Sequence, residues 1–244
     1  MIIVELSILT NLEMKIDRDK FLPKGDEKLF RLDDWIPSSA MDCETKVLNL
    51  PLLHEAFERV VEQHIPRQPT AFLSLCTSTR PYYHSIKWKK FKESFGPKVD
   101  MIVVSNGGFV PEPFWESWPY LNYEAGPHED DTLYRSVMFD RMLIFFKNNL
   151  YKNVIANFNP KQRNYQPAFD TLSILKNDGY IENFAIVPER ELYNRAKEDG
   201  FHGSPNSAGD MFPDLHKFIL DGLIQQVETF GYDESKIKTI YDYE

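Results

Sequence analysis

The chain has 244 residues, with 37 acidic side chains against 28 basic ones and a formal net charge of −9. Its 42% hydrophobic and 14% aromatic content suffices to bury a core of domain size, which excludes disorder, collagen and coiled coil as overall descriptions. The acidity excludes a free-standing nucleic-acid binder that relies on a basic surface, and any such contact must be local or supplied by a partner.

Cys43 and Cys76 are too few for a disulfide framework. The first residues lack the basic start, apolar core and small-residue cleavage site of a signal peptide. No apolar run approaches the roughly 20 residues that span a bilayer, so the expected setting is reducing and cytoplasmic, with no membrane.

Residues 1–49 read as an N-terminal extension: a short β-like run (Ile2, Ile3, Val4, Leu6), a charged middle, and the turn-like Pro37-Ser38-Ser39. From Leu50 onward the spacing of Leu52, Leu53, Ala56, Phe57, Val60 and Val61 predicts a helix that stops at Pro66. Four short apolar runs, 70–75, 99–105, 152–158 and 182–187, predict buried strands. Helical patterns fall at 86–95, 130–149, 165–177, 189–199 and about 212–229. Unalternating strands separated by helices imply a mainly parallel sheet of about four strands covered on both faces, an α/β chain built as a three-layer α/β/α sandwich. One domain over 50–244 results, with the strand order unreadable.

In such sheets the ligand crevice lies beyond the carboxyl ends of the strands, which puts 76–85, 105–124, 158–166 and the segment after Val187 on one rim, the first two being the oddest in composition. The first runs from Cys76 through Thr77, Ser78, Thr79, Arg80, Pro81, Tyr82, Tyr83 and His84 to Ser85. A thiol there can serve as a nucleophile, and nearby amides and hydroxyls can hold an oxyanion, a nitrile nitrogen or a phosphate. The plainer reading is a polar loop with a buried structural cysteine. The second segment, Asn106-Gly107-Gly108-Phe109-Val110-Pro111, is followed by Trp115, Trp118, Pro119, Tyr123, Glu124 and Gly126. Paired glycines allow close backbone approach to a ligand and the aromatics suit stacking on a base, or they anchor a loop on the core.

These two segments resemble the core catalytic domain of archaeosine synthase, a tRNA-modifying family related to archaeal tRNA-guanine transglycosylase. Its signature is Pro-Cys-Ser-x-x-Lys-Pro-Tyr-x-x-Ser-x-x-His, with a later Gly-x-Val-Pro, a Pro and Tyr-Asp. Cys76, Pro81, Tyr82 and Ser85 fall in register, as do Gly108, Val110, Pro111, Pro119 and Tyr123. Thr77 stands for Ser and Glu124 for Asp, while Leu75, Arg80 and Trp88 occupy the positions of the family's Pro, Lys and His. The resemblance spans 50–187 and implies a fold like that of uracil-DNA glycosylases.

It also implies conversion of a tRNA-borne cyano-deazaguanine nitrile to an amidine with an amino donor such as lysine or glutamine, without a cofactor or metal. Under that reading Cys76 is the nucleophile, and Tyr82, His84 and Glu124 move protons. Thr77, Ser78, Arg80, Pro81, Ser85, Asn106, Gly107, Gly108 and Tyr123 line the substrate, with Trp115 or Trp118 stacking on the base. The family's RNA-binding domain has no counterpart here, so tRNA would reach the site through a separate RNA-binding subunit. The alternative is a non-catalytic nucleic-acid-binding or partner subunit with the same fold.

Two further features have local readings. Lys87, Lys89, Lys90 and Lys92 form either a phosphate-contacting stretch or a solvated helix face. His128-Glu129-Asp130-Asp131 reads as helix capping ahead of metal binding, because no second histidine sits at ligand spacing. The polar loop 201–210 is either a lid or a surface connection.

Overall fold

The computed structural model describes Leu48 and residues 51–77, 79–117, 120, 131–199 and 215–241. The remainder of the N-terminal extension, Ser78, Trp118, Pro119, Tyr123, Glu124, Gly126, the 128–130 cluster and the 201–210 loop lie outside the described residues.

The elements are α1 (Pro51–Gln63), β1 (Thr70–Leu75), α2 (Ile86–Phe95), β2 (Asp100–Ser105), β3 (Gly108–Pro111), α3 (Asp131–Asn148), β4 (Asn153–Asn157), α4 (Tyr165–Asn177), β5 (Asn183–Ile186), α5 (Arg190–Glu198), α6 (Lys217–Phe230) and α7 (Glu234–Tyr241). The protein is α/β, with one five-stranded sheet in the order β3-β2-β1-β4-β5. β1 pairs parallel with both β2 and β4, and β4 pairs parallel with β5.

The four expected strands are all present, and a fifth joins them. β3 runs antiparallel to β2 at the sheet edge, so residues expected in a loop are in fact a strand. Four residues opened by Gly and closed by Pro carry little strand signal of their own; Phe109 and Val110 are held by pairing with Val104 and Val103. An edge is also where a strand-ending proline is tolerated.

Register shows that helices cover both faces. Phe72 of β1 makes edge contacts with Trp88, Phe91 and Phe95 of α2, the ring centroids 4.8–6.2 Å apart. Phe72 lies beside Met101, whereas Phe109 lies beside Val104, three residues further along β2. Side chains alternate along a strand, so Phe109 projects from the opposite face. There it stacks on Phe145 of α3 at 5.5 Å. α1, α3 and α4 associate on the Phe109 face, and α2, α5 and α6 on the other. This double cover explains why β1, β2 and β4 are almost continuously buried.

Among the described residues no helix is long and apolar enough to cross a membrane. α6 begins at Lys217, later than its apolar pattern, because His216 caps it: Nδ1 accepts the Phe218 N–H at 3.4 Å. The other end of α6 is tied to the amino ends of the strands, where Thr70 Oγ1 donates to Gly231 O and Asn153 Nδ2 to Phe230 O. α6 therefore runs antiparallel to β1 and β4, with its first turn toward their carboxyl ends.

Candidate functional site

From central β1 the chain passes to β2 on one side and later to β4 on the other. The strand order thus reverses direction between β1 and β4, and the crevice beyond their carboxyl ends is the topological switch point where α/β sheets take ligands. The loop after β1 and the end of β4 meet there.

Cys76 continues β1 by one residue, its N–H donating to Val104 O at 2.9 Å. It is half-buried and its thiol is free. Thr77 is buried and donates through Oγ1 to Thr79 O at 3.3 Å. Arg80 Nε donates to Tyr120 O at 3.1 Å, and its guanidinium lies 5.3 Å from the Tyr82 ring centre. Tyr82, which follows Pro81, is fully buried with its ring edge-on to Trp115. His84 is exposed, its ring against Tyr83 at 4.4 Å. A hydrogen bond with Glu116 pushes the Tyr83 phenol up to about 12. Ser85 is buried at the start of α2, where its N–H donates to Tyr82 O. Of this loop's described side chains, Cys76 and His84 combine reactivity with exposure.

The glycine segment is held mainly by the fold itself. Ser105 Oγ accepts the Gly107 N–H at 3.2 Å, closing the turn into β3. Gly108 has φ +119°, and a Cβ there would meet Phe57 Cδ2 of α1 at 2.6 Å. Its bareness thus serves the approach of α1 to the sheet as well as a strained backbone. Asn106 O accepts from buried Arg141, which also donates to Leu48 O at 3.1 Å. Trp115 is inside the core: Nε1 donates to Val110 O at 3.0 Å and the ring packs on Trp88. The structure gives Trp115 the anchoring role rather than a surface for a base.

Two further residues stand at the ends of β1 and β4: Lys87, which the sequence suggests as a phosphate contact or part of a solvated helix face, and Asn157, which the sequence analysis does not single out. Lys87, the first of the lysine stretch, is buried at 3% exposure, and Nζ donates to Leu75 O at 2.8 Å and to Ser74 Oγ at 3.2 Å. It therefore clamps the end of β1 directly before Cys76, whereas Lys89 and Lys90 remain exposed. Asn157, the last residue of β4, pairs with Ser74 and is 1% exposed, yet neither Oδ1 nor Nδ2 has a hydrogen-bond partner. The available signal was an asparagine ending an otherwise apolar strand. Beyond it, Asn164 Nδ2 donates to Tyr134 OH, and the Arg163 guanidinium covers the Tyr134 ring at 3.5 Å.

A separate ionisable network closes the opposite end of the sheet. Tyr151 OH donates to Asp100 Oδ2 at 3.0 Å and lies 2.6 Å from His64 Nε2. Asp100 also accepts the Arg67 N–H at 2.7 Å. Burial, then the Arg67 charge, lowers His64 to about 4. Burial raises Asp100 despite the N–H and charge of Arg67. Arg67 and Lys92 both reach Glu112, at 3.0 and 2.7 Å. Burial alone would raise that carboxyl, but the two cations leave it lowered. Tyr151 stacks beside His64 and anchors the start of β4, so this network is structural. Among the described residues no three His, Cys, Asp or Glu side chains gather to hold a metal.

No family model matches the sequence, and no curated protein matches it. The crystal structure of AF0587, a protein of unknown function, is similar over 70% of this chain, with 16% identity and a TM-score of 0.44. The chain spans about half of that protein, 49% of its length.

Proposed function

We propose that this chain is the catalytic core of a base-modifying enzyme of the archaeosine synthase kind, its helices completing a three-layer α/β/α sandwich like that of uracil-DNA glycosylases. The observation that carries the reading is the position of Cys76: a free, half-exposed thiol at the carboxyl end of the central strand, at the switch point. In this reading the Cys76 sulfur adds to the nitrile carbon of a cyano-deazaguanine, and the thiol proton passes to the nitrile nitrogen, forming a thioimidate. The amine of a donor such as lysine or glutamine then attacks the same carbon. The C–S bond breaks, an amine proton returns to sulfur, and a substituted amidine leaves.

Exposed His84 is the candidate for moving these protons, ahead of buried Tyr82. Because the chain carries −9, tRNA is presented by a separate RNA-binding subunit, with Lys89 and Lys90 adding local phosphate contacts. A non-catalytic binding subunit is the second reading. Arg80 favours it, since the residue at the family's Lys position is directed at the Tyr120 carbonyl.

The test is incubation with tRNA bearing the cyano-deazaguanine base and labelled lysine or glutamine, read by mass spectrometry. Label transfer lost in Cys76→Ala supports the proposal, whereas transfer unchanged in that variant refutes the covalent route. tRNA binding without adduct or product selects the second reading.

A further inference from the structure

The two edges of the sheet differ. β3 is buried along its whole length and closes with Pro111, whereas β5 leaves Asn183 exposed and Phe184 and Ala185 half-buried. Among the described residues no strand pairs with the outer side of β5. The parallel ladder settles which groups face outward: Asn183 N–H donates to Lys152 O and Val187 N–H to Ala156 O, so Asn183, Ala185 and Val187 bond to β4. The N–H and C=O groups of Phe184 and Ile186 therefore point away from the sheet. Edges are commonly blocked by a charged side chain, a proline or a bulge, and the continuous run Asn183-Phe184-Ala185-Ile186 has none of these. The apolar surface beside it is uncovered as well: Phe169 of α4 is 45% exposed, with its ring edge-on to Phe184 at 6.0 Å.

We propose that β5 is the surface through which two copies of this chain associate, pairing antiparallel about a two-fold axis at Ala185. In that register Phe184 of one copy faces Ile186 of the other, and each such pair exchanges both backbone hydrogen bonds, so the outward groups of both residues gain partners. Phe184 projects on the α4 face, and Ile186, two residues on, shares that face, which sets an aromatic ring against a β-branched side chain on each side of the axis. At the axis the two Ala185 residues oppose each other in the close, non-hydrogen-bonded position, with Cα atoms about 4.5 Å apart, where a small side chain fits. The two-fold keeps α4 of both copies on one face of the continuous sheet, so both Phe169 rings border the same seam.

A second copy fits this edge better than a free peptide. Four residues offer few bonds to offset the ordering of a flexible strand, whereas a second copy brings β5 and α4 already ordered. The interface is small, so a dissociation constant on the order of 10 μM is expected. The strands of the two copies run in opposite directions, which leaves the two crevices at opposite ends of the joined sheet, and the association does not depend on the reaction proposed above.

The test is sedimentation velocity of the full chain over about 1–200 μM, which should show a reversible monomer–dimer equilibrium. Ala185→Lys and Ala185→Glu each place like charges opposite one another at the axis, and each alone should weaken association by about tenfold or more. An equimolar mixture of the two should restore it to within about threefold of wild type. Melting temperatures of the dilute variants establish that they fold. Independently of any variant, the Phe184 and Ile186 amides of the wild type should exchange with deuterium more slowly as protein concentration rises, while the Ala185 amide, bonded to β4, stays protected throughout.

A monomer over the whole range overturns the inference, as does a dimer indifferent to charge at position 185 or a mixture that associates no better than either variant. Exchange at Phe184 and Ile186 that is independent of concentration also overturns it, whether fast, as in an edge left open, or slow, as in an edge that another part of the same chain already holds.

Discussion

Protonation of His64 should loosen the fold in mildly acidic solution, with a magnitude set by its surroundings. Its ring stacks between Phe145 and Tyr151, at 5.8 and 6.1 Å, and packs edge-on to Phe114. Asp100 takes the Tyr151 proton, so the phenol oxygen accepts from His64, and the imidazole is the neutral Nε2–H form. The native histidine titrates at about 4, against 6.5 when exposed. Between those values the unfolded chain binds the extra proton, so stability is full above pH 6.5 and is lost as pH falls toward 4. At about 1.4 kcal/mol per unit, the loss from this group is about 2 kcal/mol at pH 5.

Asp100 acts with the opposite sign: its raised pKa lets the folded chain hold a proton that the unfolded chain has released, so stability falls as pH rises through that value. Comparing the wild type with His64→Phe keeps Asp100, Arg67 and Glu112 in both proteins. Urea unfolding should find His64→Phe about 1 kcal/mol less stable at pH 7.5, from the lost hydrogen bond, and about 1 kcal/mol more stable at pH 5. Parallel pH profiles for the two proteins would refute the reasoning.

Gly108→Ala combines the +119° backbone with a 2.6 Å contact to Phe57, and a loss of about 3 kcal/mol or more is expected in urea unfolding. Phe72→Ala removes the ring that α2 closes on and should cost about 3–5 kcal/mol, measured in the same way. Lys87→Met keeps the buried stem but drops the donors to Leu75 O and Ser74 Oγ. A loss of about 1–3 kcal/mol is expected, with faster alkylation of the Cys76 thiol as the end of β1 loosens; an unchanged alkylation rate would detach Lys87 from the site.

The strand pattern was legible because burial on both faces leaves a local trace. Thr70–Leu75 and Asn153–Asn157 are apolar runs too short to be helices, and the spacing of Ile86–Phe95 is helical by itself. The prominence of the loop beginning at Cys76 was likewise readable, since thiol, guanidinium and imidazole fall within ten residues after a strand.

Tertiary structure alone decided which groups those residues meet. Strand order depends on which side of β1 each crossover returns, and that order places Asn157 beside Ser74 across eighty-odd residues of intervening chain. β3 exists because β2 supplies its hydrogen bonds, and Gly108 is bare because α1 lies against it. Lys87 and Lys89 are equally basic in sequence, yet the turn of α2 buries one at the end of β1 and leaves the other in solvent. Sequence carries periodicity and chemistry along the chain, whereas partnership between distant groups is a property of three-dimensional packing.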